Sequence, residues 1–205
     1  MDDIVRSRRE RSDARESTVR IIEAAKAVFT DDPNASLEQV AEHAGLARTT
    51  VHRRFASRRS LLAALAVELN EHYLRALDRA RVATAPPMVA LYRLTEIAFE
   101  LKIAHPFDIC LNPGARGHET PAPDPAIQEG LDLLFTRLHE TGQIAVGDPD
   151  WCRRIYLALL HEVHELPVDS PVLAGEGGAP EDVVGARVGL LITTLLGALG
   201  GSVST

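Results

Sequence analysis

The chain has 205 residues, 45% of them hydrophobic and 25% charged, and a formal net charge of -7. That length and apolar content suffice to bury a core in one domain or two small ones, and the negative total excludes a protein coated in nucleic acid. No apolar run reaches the roughly 18 to 20 residues that cross a bilayer, and the polar opening "MDDIVRSRRERSDARE" lacks the apolar core of a signal peptide, so a cytoplasmic protein is expected.

The total conceals a split. Residues 1–60 carry twelve Lys and Arg against ten Asp and Glu, whereas residues 61–205 carry ten against nineteen. The two parts face different partners.

Strand signals are nearly absent and helical periodicity is everywhere, which predicts an all-α fold. "STVRIIEAAKAVFT" (17–30) places Val19, Ile22, Ala25 and Phe29 at helical spacing and stops at Asp31-Asp32-Pro33. Ser36 opens "SLEQVAEHAG", where Ser36 and Gln39 form a capping box, Val40, Ala41 and Ala44 supply the apolar stripe and Gly45 stops the helix. After the break "GLA" comes "RTTVHRRF" (48–55), with Val51 and Phe55 four apart as its buried pair. Ser57 caps a long fourth helix that runs to Pro86-Pro87. Longer elements follow at 88–104, about 125–141, 149–166 and 181–200. A proline-rich stretch, "HPFDICLNPGARGHETPAPDP", separates the first two of these.

Residues 46–62, "LARTTVHRRFASRRSLL", hold five arginines and no carboxylate; the flanking acids are Glu42 and Glu68. Two short helices joined by a tight turn containing Gly, the second free of acid, make a helix-turn-helix. The second helix of such a unit enters the major groove, where a carboxylate would face phosphates. A solvated helix face normally interleaves Glu with Arg to gain pair energy, and this one does not.

Through these residues the sequence resembles the TetR family of transcriptional regulators. The resemblance rests on "IIEAAKAVF", "SLEQVAEHAGLARTTVHRRF" and "SRRSLL", between residue 17 and about 65. It implies a flexible basic arm (1–16), a helix-turn-helix domain (17–63) and a helical effector-binding and dimerisation domain (64–205). It further implies a regulator, most simply a repressor, released from a pseudo-palindromic operator by a small molecule, with no enzymatic activity and no cofactor. The recognition helix would present Arg48, Thr49, Thr50, His52 and Arg53 to the groove, with a guanine contact from Arg48 or Arg53. Arg58, at the start of the fourth helix, is the expected phosphate anchor. Three positions depart from the family pattern. Ala47 stands where a Ser cap is frequent, His52 where a Tyr is common, and Ser60 where a Glu often completes a capping box with Ser57.

In the acidic part, Leu94, Phe99, Ile103, Phe107, Leu134, Phe135, Leu138, Trp151 and Tyr156 are the larger apolar candidates for an effector pocket. The last helix carries Gly185, Ala186, Gly189, Gly197 and Ala198 among large aliphatics, and small residues so spaced allow close helix approach. With 149–166 it is expected to build a four-helix homodimer interface. A second reading is a metal- or thiol-responsive regulator. "HEVHEL" sets His161, His164 and Glu165 on one helical face, His105, His118 and His139 are further histidines, and Cys110 and Cys152 are the two thiols. The order of residues is neither the His-Glu-x-x-His of zinc hydrolases nor its inverse, so no catalytic or metal site is assigned.

Overall fold

The computed structural model describes residues 2–104, 124–173 and 182–201, with side chains from residue 12 onward. Among these residues it contains helices and no strand: α1 (Asp2–Asp31), α2 (Leu37–Ala44), α3 (Arg48–Arg54), α4 (Arg58–Ala80), α5 (Pro87–Ala104), α6 (Pro125–Glu140), α7 (Pro149–Glu165) and α8 (Val183–Ala198). The chain divides into two compact units, the division falling inside α4 after Leu69.

In the first unit, α1 is thirty residues long and takes in the segment expected to be a separate arm. No Gly or Pro interrupts residues 1–32, and opposite charges recur four apart, as at Arg6 and Glu10 or Arg9 and Asp13, which supports a continuous helix. The buried face of α1 is Ile21, Ala24, Ala25 and Phe29, whereas Val19 is 60% exposed and Ile22 is half-buried. The buried stripe is thus rotated from the expected one, because adjacent Ile21 and Ile22 fit either phase and only packing chooses between them. Helix α1 packs on α2 and α3, and α2 on α3. Val40, Val51, Leu61 and Leu65 are all at 0% exposure, as are Ala25 and Phe29.

Helix α2 begins and ends as its sequence dictates. The Gln39 amide donates to Ser36 Oγ (3.3 Å) and the Ser36 amide donates to Gln39 Oε1 (2.7 Å), so both halves of the capping box form. At the other end Gly45 adopts φ 62°, ψ 37°, a left-handed conformation that glycine reaches without steric cost. Its amide and that of Leu46 close the last turn on the Glu42 and Ala41 carbonyls. Arg20 of α1 donates from Nη2 to the Ala44 carbonyl (2.6 Å), so the end of α2 is tied to α1 as well.

The second unit has one apolar core shared by the C-terminal part of α4 with α5 to α8, in which α5, α6, α7 and α8 pack on one another. Helix α4 ends at Ala80 rather than near Pro86. Arg81 is left-handed (φ 57°), and the Arg81 and Val82 amides donate to the Asp78 and Leu77 carbonyls, a Schellman termination built without glycine. Nothing in the residue types announced this stop. Arg137 of α6 supports it from outside by donating from Nη2 to the Ala85 carbonyl (2.8 Å) and from Nη1 to that of Val82. Asp124, Asp148 and Asp182 cap α6, α7 and α8 through the amides of Ala126, Trp151 and Gly185. The end of α8 folds back on the α6–α7 turn: the Ala145 amide donates to the Leu199 carbonyl (2.9 Å), and a Cβ on Gly201 would lie 2.2 Å from the Gln143 carbonyl oxygen.

Candidate nucleic-acid interface

Helix α3 is seven residues long and is held by two side chains on one side. Val51 (0% exposed) and Phe55 (8%) are buried, which turns Arg48, Thr49, His52, Arg53 and Arg54 outward and leaves Thr50 half-buried. Four of the five residues expected to face the groove, Arg48, Thr49, His52 and Arg53, are exposed, and Thr50 is half-buried. The helix N-terminus is uncapped by any side chain: Ala47, at φ -62°, ψ 140°, has none to offer. The Thr50 and Val51 amides both donate to the Ala47 carbonyl (2.8 and 3.3 Å), and phosphate oxygens are acceptors of the right sign for the amides ahead of them.

Carboxylates flank this surface differently in space than in sequence. Glu68 is drawn away by Lys26 of α1, whose Nζ donates to it at 2.7 Å and to Glu23 at 2.8 Å. Partial burial works against the Lys26 charge, but the hydrogen bonds to Glu23 and Glu68 and their charges outweigh it, and the ammonium pKa is raised. Glu38, in the first turn of α2, does the opposite. Its Oε1 lies 3.2 Å from His52 Nε2, an exposed pair across the helix-turn-helix. The Glu38 backbone amide first, and His52 second, hold this carboxyl below its usual range. The stretch that is acid-free in sequence therefore has one carboxylate in space, and only the crossing of α2 and α3 puts it there.

Arg58 also lies in an unexpected setting. Its Nε donates to the Ala35 carbonyl (3.1 Å), its Nη2 to that of Pro33, and its guanidinium sits 5.1 Å above the centre of the Phe29 ring. The side chain expected to hold a phosphate is engaged as a strut between the start of α4 and the α1–α2 connection. That connection exposes carbonyls because Asp32 and Pro33 end α1. Ser60 completes a capping box without Glu: its amide donates to Ser57 Oγ (3.1 Å), the Ser57 amide donates to Ser60 Oγ (3.1 Å), and Ser60 Oγ donates to the Ser57 carbonyl (2.7 Å).

In the second unit, Leu94, Phe99, Leu134, Phe135, Leu138 and Tyr156 all belong to one buried cluster. The Phe135 and Tyr156 rings lie 5.8 Å apart at 60°. The cluster contains a polar pair: Thr95 Oγ1 donates to the Leu91 carbonyl (2.8 Å) and lies 3.3 Å from the Tyr156 hydroxyl, with burial pushing the Tyr156 pKa up to about 12. Two candidates do not line this interior. Ile103 is 51% and Trp151 52% exposed. On α7 the inward face is Cys152, Tyr156, Leu160 and Val163, so Trp151 is turned away by one residue of phase. Phe107, His105, His118 and Cys110 lie outside the described residues.

Of the residues named for the second reading, His161, His164, Glu165, His139 and Cys152 are described. Among the described residues no three His, Cys, Asp or Glu side chains are grouped as for a metal ion. His164 Nδ1 instead faces Arg187 Nη1 of α8 at 3.3 Å, and a guanidinium repels a cation. Cys152 is buried, its thiol directed at the Val146 carbonyl (3.7 Å), with desolvation first and Asp148 second pushing its pKa up. That setting suppresses the thiolate a redox sensor needs.

A short uncapped helix with an outward Arg, Thr and His face, braced by a capped helix through a left-handed glycine turn, defines a helix-turn-helix DNA-binding protein. Residues 21–65 match the model of the bacterial regulatory proteins, tetR family. The chain is 33% identical over 164 residues to the HTH-type transcriptional repressor LfrR of Mycolicibacterium smegmatis, covering 77% of this chain and 83% of that one. Among solved structures, LfrR from Mycobacterium smegmatis in complex with proflavine aligns with a TM-score of 0.56 at 26% identity, over 94% of this chain and 99% of that chain. The TetR family regulator PfmR from Thermus thermophilus shares the fold with a TM-score of 0.62 at 22% identity, over 85% and 96% of the two chains. The chain belongs to the TetR family and is a DNA-binding transcriptional regulator.

Proposed function

We propose that the protein is a cytoplasmic repressor that binds a pseudo-palindromic operator as a homodimer and leaves it when a small, mainly apolar effector enters the second unit. The observation that carries the reading is the outer face of α3, where Arg48, Thr49, His52 and Arg53 are exposed together opposite the buried Val51 and Phe55. One such helix reads too few base pairs to select a site alone, so two copies across a two-fold axis are required. Arg48 or Arg53 reads guanine, Thr49 and Thr50 meet a thymine methyl or a phosphate, and His52 meets the backbone once it exchanges Glu38 for phosphate. Arg58 contributes by holding the start of α4 against the first three helices. The repressor assignment and the small-molecule effector draw support from LfrR, which is named a repressor and was solved with proflavine.

The dimer face is supported by α8. Gly185, Gly189, Thr193 and Gly197 recur every four residues on its exposed side, and a Cβ at Gly189 or Gly197 would meet nothing within 4 Å. Exposed Leu157 on α7 adds apolar surface. The effector site is supported by the Leu94, Phe99, Phe135 and Tyr156 cluster, where burial of apolar surface is the main gain and the Thr95–Tyr156 pair supplies a polar contact.

Operator selection from random duplexes tests the reading, with wild type, Arg48→Ala and Arg53→Ala compared. One of the variants should lose about 1 to 3 kcal/mol at the selected site and relax preference at one base pair. Release is then measured with hydrophobic compounds, with chelator, and with zinc, nickel or copper. Release by apolar compounds alone is expected. Release by metal alone, abolished by His161→Ala with His164→Ala, would overturn the effector reading.

A further inference from the structure

Arg187 is the only buried charged side chain among the described residues, at 6% exposure. Its Nη2 donates to the Leu166 carbonyl (2.9 Å) and its Nη1 to His164 Nδ1 (3.3 Å), while its Nε is buried with no hydrogen-bond partner. No carboxylate among the described residues forms an ion pair with it. A buried guanidinium left without an anion is unfavourable, since desolvation removes its hydration and the two hydrogen bonds replace it only in part, leaving the Nε–H without a partner.

Among the charges acting on His164, those of Lys102 and Arg187 outweigh that of Glu165. A guanidinium only donates, so His164 Nδ1 must accept, and the imidazole is neutral with its proton on Nε2. Burial, then the Lys102 and Arg187 charges, depress the His164 pKa, with Glu165 opposing and His161 adding to the effect. Helices α5, α7 and α8 thus bring Lys102, His164 and Arg187 together, inside the part of the chain that carries the net negative charge. The guanidinium Nε–H is a buried donor without a partner. The adjacent residues Val163, Leu160, Val188 and Leu191 belong to the apolar cluster.

We propose that Arg187, oriented by His164, forms the anion-binding end of the effector site, and that the effector is an amphipathic carboxylate rather than a cation or a neutral apolar molecule. The unpartnered Nε–H of Arg187 is the donor for a carboxylate oxygen, and the apolar cluster beside it takes the hydrocarbon part. The assignment deepens the effector reading and rests on it for its regulatory meaning, while the anion site itself stands on the geometry of Arg187.

The test uses full-length protein and three ten-carbon probes, decanoate, decanol and decylamine, with binding read by calorimetry and operator release read separately. Decanoate should bind about tenfold to a hundredfold more tightly than either analogue. Arg187→Met should erase that preference without lowering the melting temperature of the free protein, because it removes an unpaired buried charge at similar volume. If Arg187→Met does not fold, Arg187→Lys keeps the charge but not the Nε donor, and the preference should shrink severalfold. Equal binding of the three probes, or a decanoate preference unchanged in these variants, overturns the proposal. Decanoate that binds through Arg187 yet leaves the operator complex intact upholds the anion site and counts against the effector reading.

Discussion

Arg58 and His164 show how a side chain's chemistry is set by what folds against it. Arg58 was expected to meet phosphate, yet it holds the Pro33 and Ala35 carbonyls and covers Phe29. Arg58→Ala should therefore destabilise the first unit by about 2 kcal/mol, the scale of charge-assisted hydrogen bonds plus a cation–π contact. Denaturant unfolding measures that loss. If Arg58 instead serves mainly as a phosphate contact, stability will hold and the salt slope of operator binding will drop by about one. For His164 the folded chain depresses the pKa below the ordinary 6.5, first by burial, then through Lys102 and Arg187, against Glu165 and with His161. The unfolded chain then binds more protons than the folded one between the lowered pKa and the ordinary value. Stability is full above that upper value and falls as pH drops through the window. His164→Gln should flatten the slope of unfolding free energy against pH there, and an unchanged slope would assign the titration to another group.

Among the elements, α3 is the least self-sufficient: seven residues, an N-terminus without a side-chain cap and one fully buried residue. Isolated helices of that length are marginal, and tertiary contacts supply most of their stability. Ala47→Ser restores a cap worth about 1 kcal/mol. Amide exchange of the α3 backbone should slow, and operator affinity should rise by up to about tenfold if ordering of α3 is part of the binding cost. Unchanged exchange would mean that packing by Val51 and Phe55 already holds the helix. The capping boxes at Ser36–Gln39 and Ser57–Ser60 contrast with this end, since both close reciprocally within the chain. The first was legible because Ser and Gln three apart is a known pattern. The second was not, because a serine replaces the long acceptor and only the observed rotamer shows it reaching back.

For the whole molecule, the exposed glycines of α8 carry the clearest expectation. A side chain at Gly189 meets nothing within 4 Å in the single chain, so Gly189→Leu should leave the monomer folded, with helix propensity gaining up to about 1 kcal/mol. If α8 packs against its copy, the same change forces the helices apart. Sedimentation velocity should show a shift towards monomer, together with loss of operator binding. A dimer of undiminished stability would place the interface elsewhere.

Residue pattern by itself determined the all-helical class, the helix starts that follow a cap or a proline, the helix-turn-helix and its outward Arg48, Thr49, His52 and Arg53. These features depend on neighbours a few positions apart, where caps, glycine turns and helical spacing act. Only the tertiary structure decided the length of α1, the phase of its buried face, the stop at Arg81, the Glu38–His52 pair, the inward turn of Arg58 and the outward turn of Ile103 and Trp151. It alone placed His164 beside Arg187, twenty-three residues away in the chain. Each of these depends on which helices cross and in what rotation. That choice is made by the packing of whole faces, since an apolar residue fits more than one face and a charged one takes the nearest partner that packing brings to it.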